Sequence, residues 1–290
     1  MKKVLLTGAT GYIGRKFVET YSDDLEIIAL TRNVEKYEKS ILFSKTRLIS
    51  IDDFLDSDIN MKDYVLLNLA FPRSSDSESL LDAFDFIYKI YIKFKDLNGK
   101  HIINISSQSV YDIERTNPAK ESDLVKVFSM YGLAKVYSEK YTIDFCEKND
   151  MEYINLRLAS IIGPKFDQRF INKLVYSYLD DKDISVVDKG ETFSYINVYD
   201  AIKLFYNIIV GDNIKWDECY NIGVEESYTI TDIIKQIKKL DHNYKGNISI
   251  KKELISRKTN QVCLNKLKKY IEVVTDYPLS KTVEQVKNSK

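Results

Sequence analysis

Short apolar runs alternate with segments of helical spacing over the first half of the chain. Runs rich in Ile, Leu and Val predict six strands, at residues 3–6, 25–30, 47–51, 64–69, 101–105 and 153–158. Apolar positions three and four residues apart predict helices after the first strand, over residues 77–96 and over about 127–148. Strands that are apolar nearly throughout and alternate with helices indicate a parallel sheet covered on both faces. The pattern therefore predicts an α/β fold with a doubly wound parallel sheet.

The regular alternation stops after residue 163. The remaining pattern predicts strands at 184–187 and 220–222 and helices near 170–179, 198–209, 230–240, 264–270 and from 279. We therefore expect a Rossmann-type domain over residues 1–163, rejoined by about 193–222. Residues 164–192 and 223–290 are expected to form a small α+β substrate domain.

Composition and charge exclude several classes of protein. The 290 residues carry 43 Lys and Arg against 43 Asp and Glu, scattered along the chain, so a nucleic-acid partner is not expected. The longest apolar run, residues 65–71, is far shorter than the ~18 residues of a membrane span. No signal-peptide core follows Met1, and we expect a cytoplasmic protein. Three cysteines and two histidines fit neither a disulfide framework nor a metal site.

Glycine is scarce, yet three of the ten glycines fall within seven residues, at Gly8, Gly11 and Gly14. They follow a predicted strand and open a predicted helix, which is the context of a phosphate-binding turn. In such a turn the first glycine permits the bend, the second lets the backbone approach a pyrophosphate, and the third lets the helix pack on the strand. The alternative is a purely structural turn. The cofactor-binding candidates here are Gly8, Thr10, Gly11, Tyr12, Ile13 and Gly14.

The end of the second strand bears on the choice of cofactor. Dinucleotide folds that bind NAD usually place an acid there, whereas this chain has Arg32. An arginine can pair with a 2′-phosphate, which favours NADP with NAD as the alternative; the other interpretation is a solvated surface arginine. After the third strand, Asp52 or Asp53 is a candidate acceptor for the adenine amine, or simply part of a turn.

The spacing Tyr-x-x-x-Lys occurs six times in this chain and is uninformative by itself. The pair Tyr131 and Lys135 stands out because its predicted helix follows a strand that ends in Ser106-Ser107-Gln108-Ser109. Spacing of four residues places both side chains on one helix face. A nearby ammonium favours the phenolate form of a tyrosine, so the pair suits proton transfer.

Taken together, these segments resemble the extended short-chain dehydrogenase/reductase family of nucleotide-sugar epimerases, dehydratases and ketoreductases. The resemblance runs along almost the whole chain. It rests on the turn at residues 7–14, Leu69-Ala70, the segment 106–111, Glu121, Tyr131-Gly132-Leu133-Ala134-Lys135, Leu156-Arg157, Gly163-Pro164, residues 195–201, residues 220–223 and Arg257 with Asn260.

The resemblance implies specific roles. Ser107 would be the catalytic hydroxyl, with Ser109 as its substitute, Tyr131 the proton donor or acceptor, and Lys135 the residue that binds the nicotinamide ribose. Leu69 and Ala70 would line the cofactor site. A homodimer is also implied, through a helix bundle.

Two positions depart from the family pattern for binding a nucleotide diphosphate. Ser160 stands in place of an asparagine, and Phe193 stands in place of an arginine. Basic side chains elsewhere could still neutralise a diphosphate, among them Arg169 and Arg257. The substrate-binding candidates are Ser107, Ser109, Ser160, Arg169 and Arg257.

The expected activity is NAD(P)-dependent hydride transfer at C4 of a nucleotide sugar, in polysaccharide or deoxysugar biosynthesis. A 4-ketoreductase is the preferred reading and a 4-epimerase the alternative. A dinucleotide-sensing regulator without turnover is the alternative of another class, but such a protein is expected to lose the Tyr–Lys pair.

Overall fold

A computed structural model describes residues 1–72, 76–253 and 257–290 of the chain. The strands are β1 Lys2–Thr7, β2 Leu25–Thr31, β3 Arg47–Ser50, β4 Tyr64–Asn68, β5 His101–Ser107, β6 Glu152–Leu158, β7 Ser160–Ile162, β8 Ile184–Asp188, β9 Tyr195–Asn197, β10 Glu218–Ile222 and β11 Ile248–Lys252. The helices are α1 Tyr12–Tyr21, α2 Ile51–Asp56, α3 Ser77–Asp96, α4 Met130–Lys148, α5 Phe170–Leu179, α6 Val198–Val210, α7 Ile230–Ile237 and α8 Leu279–Asn288.

Seven strands form the central sheet in the order β10-β6-β5-β4-β1-β2-β3. The neighbours from β5 to β3 pair in parallel. The predicted Rossmann-type α/β fold is confirmed. The chain runs outward from β1 through β2 to β3 and then continues on the other side of β1 with β4, so the strand order reverses beside β1. Ligands of open α/β sheets bind at such a reversal, outside the carboxyl ends of the strands.

Side-chain caps define the starts of several helices. The Asp76 carboxylate accepts from the Ser79 N–H at the start of α3, and the Ser129 hydroxyl accepts from the Gly132 N–H at the start of α4. Thr229 and Asp232 form a reciprocal capping box on α7. Each cap satisfies donors that a helix start leaves without a partner.

One compact unit comprises Met1–Val110, Val125–Arg157 and Phe205–Tyr220. Its apolar core is built from strand residues such as Leu5, Ile28 and Leu66 and from α3 residues such as Ile87 and Phe94. Ile87 and Phe94 lie seven positions apart, which places both on the helix face that packs against this core.

The other unit comprises Tyr111–Leu124, Leu158–Leu204 and Asn221–Lys290. Its core gathers α5, α7 and α8 around the small sheet of β8 and β11. Residues 111–124, 158–163 and 193–204, which the sequence prediction assigned to the Rossmann domain, lie in this unit. The functional division into a cofactor domain and a substrate domain stays a prediction.

The structure differs from the predicted secondary structure in several places. The predicted helix at 264–270 is only a short 3-10 turn at Leu267–Lys269. The stretch after β3, for which a turn was one interpretation, contains the helix α2. The short strands β7, β9 and β11 were not predicted. Within the described residues, no helix has the length and apolar character that crossing a membrane requires.

Candidate functional site

The glycine turn joins β1 to α1 at the reversal of strand order. Gly8 has φ +68°, in the left-handed region that favours glycine, and its carbonyl accepts from the Gly11 N–H at 3.0 Å. A Cβ on Gly14 would overlap the Gly8 carbonyl oxygen, so the helix approaches the turn closely only because this residue is glycine. Gly11 is the N-cap of α1 and provides no side-chain cap, which leaves the helix start suited to an anion.

The end of β4 packs directly against this turn. A Cβ on Gly8 would lie 2.8 Å from the backbone of both Leu69 and Ala70. The Ala70 N–H donates to the Thr7 hydroxyl at 3.2 Å, which fixes the end of β4 beside the end of β1. The structure thus brings together the cofactor-binding candidates of the turn and those that follow β4.

The candidates for the adenosine end follow β2 and β3. Arg32 is exposed directly after Thr31, the last residue of β2. Asp52 and Asp53 lie in the first turn of α2, where the Ser50 hydroxyl donates to the Asp53 carboxylate at 2.6 Å. Both acids are exposed, and Asp53 also takes part in capping α2.

Ser107 ends β5 and is buried, with 9% of its surface exposed. Its hydroxyl donates to the Ser109 hydroxyl at 3.2 Å and accepts from the Ser109 N–H at 3.1 Å. Because β5 is parallel to β4, this serine pair lies at the same sheet edge as the glycine turn.

The start of α4 approaches this serine pair closely. A Cβ on Gly132 would lie 2.6 Å from the Ser109 carbonyl oxygen, so the glycine lets the helix start reach the end of β5. Tyr131, the second residue of α4, is therefore held at that edge. The structure brings Tyr131 and Lys135 of α4 together with Ser107 and Ser109.

Lys135 is nearly fully buried, with 4% exposure. Its ammonium donates to the Ile105 carbonyl at 2.6 Å and lies 3.9 Å from the centre of the Phe71 ring and 6.0 Å from that of Tyr131. Burial lowers the pKa of Lys135 to about 7, although the nearby charge of Glu139 opposes the shift. The amine thus titrates near neutral pH, where acid–base groups are most useful.

A buried ion pair lies one turn further along α4. Arg157 of β6 donates to Glu139 twice, from Nε at 2.9 Å and from Nη2 at 2.8 Å, and the Ser106 hydroxyl donates to the same carboxylate at 2.5 Å. Both charged side chains are under a tenth exposed. The two hydrogen bonds of the pair and the one from Ser106 offset part of the free energy that desolvating both charges costs.

Polar side chains also form a ladder across four strands. The Thr7 hydroxyl donates to Asn68 at 2.7 Å, the Asn68 amide donates to Asn104 at 3.3 Å, and the Asn104 amide donates to Asn155 at 2.8 Å. The Ser138 hydroxyl of α4 joins the ladder at Asn104. The ladder therefore links the end of the glycine-turn strand to the helix that carries Tyr131 and Lys135.

The remaining substrate-binding candidates, Ser160, Arg169 and Arg257, lie in the other unit. Ser160 is paired with Tyr195 between β7 and β9. Burial raises the pKa of Tyr195 to about 12, and the charge of Arg169 opposes this shift. Arg257 is exposed, and the segment that follows it pairs with Thr192. Their part in binding a substrate stays a prediction.

Sequence reasoning missed the side chains that surround the candidate site. Glu139 carried a signal, because it lies four residues after Lys135 and so shares its helix face. No local sequence signal marked Phe71, Asn68 or Asn104. They reach the site only because β4 pairs with β5 and α4 packs beside these strands. Among the described residues, no group of three His, Cys, Asp or Glu side chains is placed to hold a metal ion.

The fold and the glycine turn define a Rossmann-type α/β protein. The model of the NAD dependent epimerase/dehydratase family matches residues 4–223, and the chain belongs to this family. The resemblance to the extended short-chain dehydrogenase/reductase family is thereby confirmed.

Relatives of two kinds are similar to this chain. The dTDP-4-dehydro-6-deoxyglucose reductase of Escherichia coli is 26% identical over 261 residues, which cover 81% of this chain and 80% of that protein. The dTDP-4-dehydrorhamnose reductase of Aggregatibacter actinomycetemcomitans is 24% identical over 229 residues, and the match covers 74% of this chain and 71% of that protein. Among solved structures, UDP-N-acetylglucosamine 4-epimerase from Bacillus cereus has a TM-score of 0.83 and 22% identity. The match covers 99% of this chain and 96% of that one.

A second solved structure, UDP-glucuronic acid 4-epimerase from Bacillus cereus in complex with NAD, has a TM-score of 0.81 and 20% identity. It covers 99% of this chain and 98% of that one. At this level of identity the structural matches support the shared fold.

Proposed function

We propose that this protein is an NADP-dependent 4-ketoreductase of nucleotide sugars. The observation that carries the proposal is the position of Tyr131 and Lys135, at the same sheet edge as the glycine turn. The names of the two curated reductases support the reaction, since both describe reduction of a dTDP-4-dehydro sugar.

The cradle of Gly8, Gly11 and Gly14 fits a dinucleotide pyrophosphate, because a Cβ at either of the outer glycines would collide with backbone. The residues proposed to hold the cofactor are Gly8, Thr10, Gly11, Tyr12, Ile13, Gly14, Arg32, Asp52, Leu69, Ala70, Tyr131 and Lys135. When bound, the reduced nicotinamide would supply the hydride to the carbonyl carbon.

The side chains of α4 and β5 would manage the proton. In the direction of reduction, the Tyr131 phenol gives its proton to the carbonyl oxygen as that oxygen gains charge. To donate to the same oxygen, the Ser107 hydroxyl turns its proton from the Ser109 hydroxyl toward the substrate, while its own oxygen keeps accepting from the Ser109 N–H. The protonated Lys135 amine stabilises the phenolate that remains on Tyr131.

The preference for NADP rests on Arg32. It is exposed after β2, where an NAD-binding fold usually has an acid. A charged hydrogen bond to a 2′-phosphate contributes about 1.5–3 kcal/mol, so NADPH should bind more tightly than NADH by one to two orders of magnitude. Titration of both cofactors checks this, with Arg32→Ala expected to abolish the difference. Equal affinities in the wild type would leave NAD as the cofactor.

A 4-epimerase is the second candidate. It is favoured by the similarity to the two Bacillus cereus 4-epimerases, one of them in complex with NAD. An epimerase regenerates its cofactor in each cycle, whereas a reductase consumes one reduced cofactor for each carbonyl. The third candidate, a dinucleotide-sensing regulator, binds cofactor without turning over a sugar.

One experiment separates the three candidates. Purified protein is denatured to identify any released dinucleotide, and native protein is incubated with NADPH and a dTDP-4-keto-6-deoxysugar, or with 4-hydroxy UDP-sugars. We expect NADPH to be consumed in proportion to the ketone. Tightly retained NAD with inversion at C4 and no net change in nicotinamide absorbance would establish the epimerase. Dinucleotide binding without turnover of any tested sugar would favour the regulator.

A homodimer through α3 and α4 is also part of the proposal. These helices expose large apolar side chains on one unit, each at least half exposed: Leu81, Tyr88, Met130, Leu133 and Tyr137. The two helices also contact each other through the rings of Phe84 and Tyr137. Exposed apolar patches of this kind mark interaction surfaces. Sedimentation of the wild type and Leu133→Glu tests it, because the variant should be monomeric if this face joins two copies.

A further inference from the structure

One aromatic side chain contacts both members of the Tyr131–Lys135 pair. The Phe71 ring, just after β4, has its centre 3.9 Å from the Lys135 ammonium. The same ring meets the Tyr131 ring edge-on, at 6.2 Å between centres and 73° between planes. We propose that Phe71 is a positioning residue of this pair, holding the ammonium on its ring face and the phenol ring at its edge.

Two features of Lys135 make this contact important. The side chain is buried, and the hydrogen bond to the Ile105 carbonyl is the only one that the structure gives its ammonium within the described residues. An aromatic face attracts a cation through its quadrupole, and the attraction is stronger where water is excluded. Phe71 therefore stabilises the protonated amine at a position where burial opposes it.

Within the part of the chain that the structure describes, the charged and titratable groups around this amine come from two elements. From α4 these are Tyr131 and Glu139, and from β6 it is Arg157, whose guanidinium is bound to Glu139. β5 contributes the Ile105 carbonyl and the Ser106 hydroxyl, which are uncharged. Exchanging Phe71 changes none of these charges, so a shift in the titration of Lys135 would report the ring itself.

The proposal predicts how Lys135 titrates in the protein without cofactor. The full chain is labelled with [ε-13C]lysine, and the resonance missing in Lys135→Met is assigned to Lys135. In the wild type the amine should titrate with a pKa of about 7. Phe71→Leu and Phe71→Met remove the ring but keep an apolar side chain, and each should lower this pKa by on the order of one pH unit. Phe71→Tyr keeps the ring and should stay within a few tenths of the wild type.

Phe84→Leu is the matched control. Phe84 contacts the Phe71 ring at 5.9 Å but makes no ring contact with Lys135 among the described residues, so its loss should leave the titration unchanged. An unchanged titration in a folded Phe71→Leu or Phe71→Met protein would overturn the proposal, as would an equal shift in Phe84→Leu. The inference rests on the proposed role of Lys135, but the titration is measured without cofactor or sugar. If the protein does not catalyse the proposed reaction, the titration still shows whether Phe71 affects Lys135.

Discussion

Two helices of this protein bury opposite kinds of side chain. On α4 the buried positions include Lys135, Ser138, Glu139 and Thr142, whereas on α7 they are four isoleucines. Burying polar groups costs free energy unless each finds a partner. On α4 the partners are the ladder, the ion pair and the Ile105 carbonyl, while Thr142 bonds to the Ser138 carbonyl and the Tyr91 hydroxyl. Packing alone would favour an apolar face such as that of α7, so the buried polar face of α4 supports the proton-transfer role proposed for Tyr131 and Lys135.

The largest expected effect is on turnover and belongs to α4. Tyr131→Phe should lower kcat by 10²–10⁴, because it removes the proton donor and keeps the ring. Its free energy of unfolding should stay within about 0.5 kcal/mol of the wild type, as for a substitution that opens no cavity. Steady-state kinetics and urea unfolding measure the two quantities. Wild-type turnover in this variant would mean that another group supplies the proton.

The next effect concerns the buried ion pair. Arg157→Met should lower the free energy of unfolding by about 3–5 kcal/mol, because it leaves the Glu139 carboxylate buried without its cation. The double variant Arg157→Met/Glu139→Leu removes both charges and should recover most of that loss. Urea unfolding of the two variants checks this. Equal losses in both would show that packing, and not charge, dominates at this position.

The smallest of these effects belongs to α7. Ile234 is 1% exposed, and Ile234→Ala should lower the free energy of unfolding by about 3 kcal/mol through a cavity. Ile234→Val should cost about 0.5–1.5 kcal/mol. Neither loss should vary between pH 6 and 8, since no charge is involved. A marked pH dependence of either loss would contradict this prediction, because it would mean that a charged group contributes to the stability of α7.

Local signals explain which parts of the structure could be predicted. The glycine turn was predictable because three scarce glycines mark a strand–turn–helix, and the bounds of α3 match the prediction because its apolar spacing is regular. The start of α4 was placed about three residues early, since the Ser129 cap was overlooked. Leu264 and Leu267 are three residues apart, as on one face of a helix, and this spacing led to the wrong prediction of a helix at 264–270. Both side chains are buried, but the backbone around them forms only a short 3-10 turn.

What could not be predicted depends on pairing between distant segments. β7 and β9 have three residues each and exist because they pair with one another across 35 positions of sequence. The candidate pair was found from its place after the Ser107 strand, but its environment was not. The Phe71 contact and the Asn68 and Asn104 hydrogen bonds arise only when separate strands are set side by side.

The ladder of Thr7, Asn68, Asn104 and Asn155 has a consequence for how the chain assembles. Ile, Leu and Val are nearly interchangeable along the strands, so apolar contacts alone would tolerate a strand that slides along its neighbour. A slide of one residue would turn an amide to the other face of the sheet, and a slide of two would part it from its partner. Each buried polar group left without its hydrogen-bond partner lowers the free energy of unfolding by about 1–3 kcal/mol. These four side chains thus make one alignment of β1, β4, β5 and β6 the most stable. A misaligned sheet would lose free energy at its central strands, where the unpaired groups would be buried.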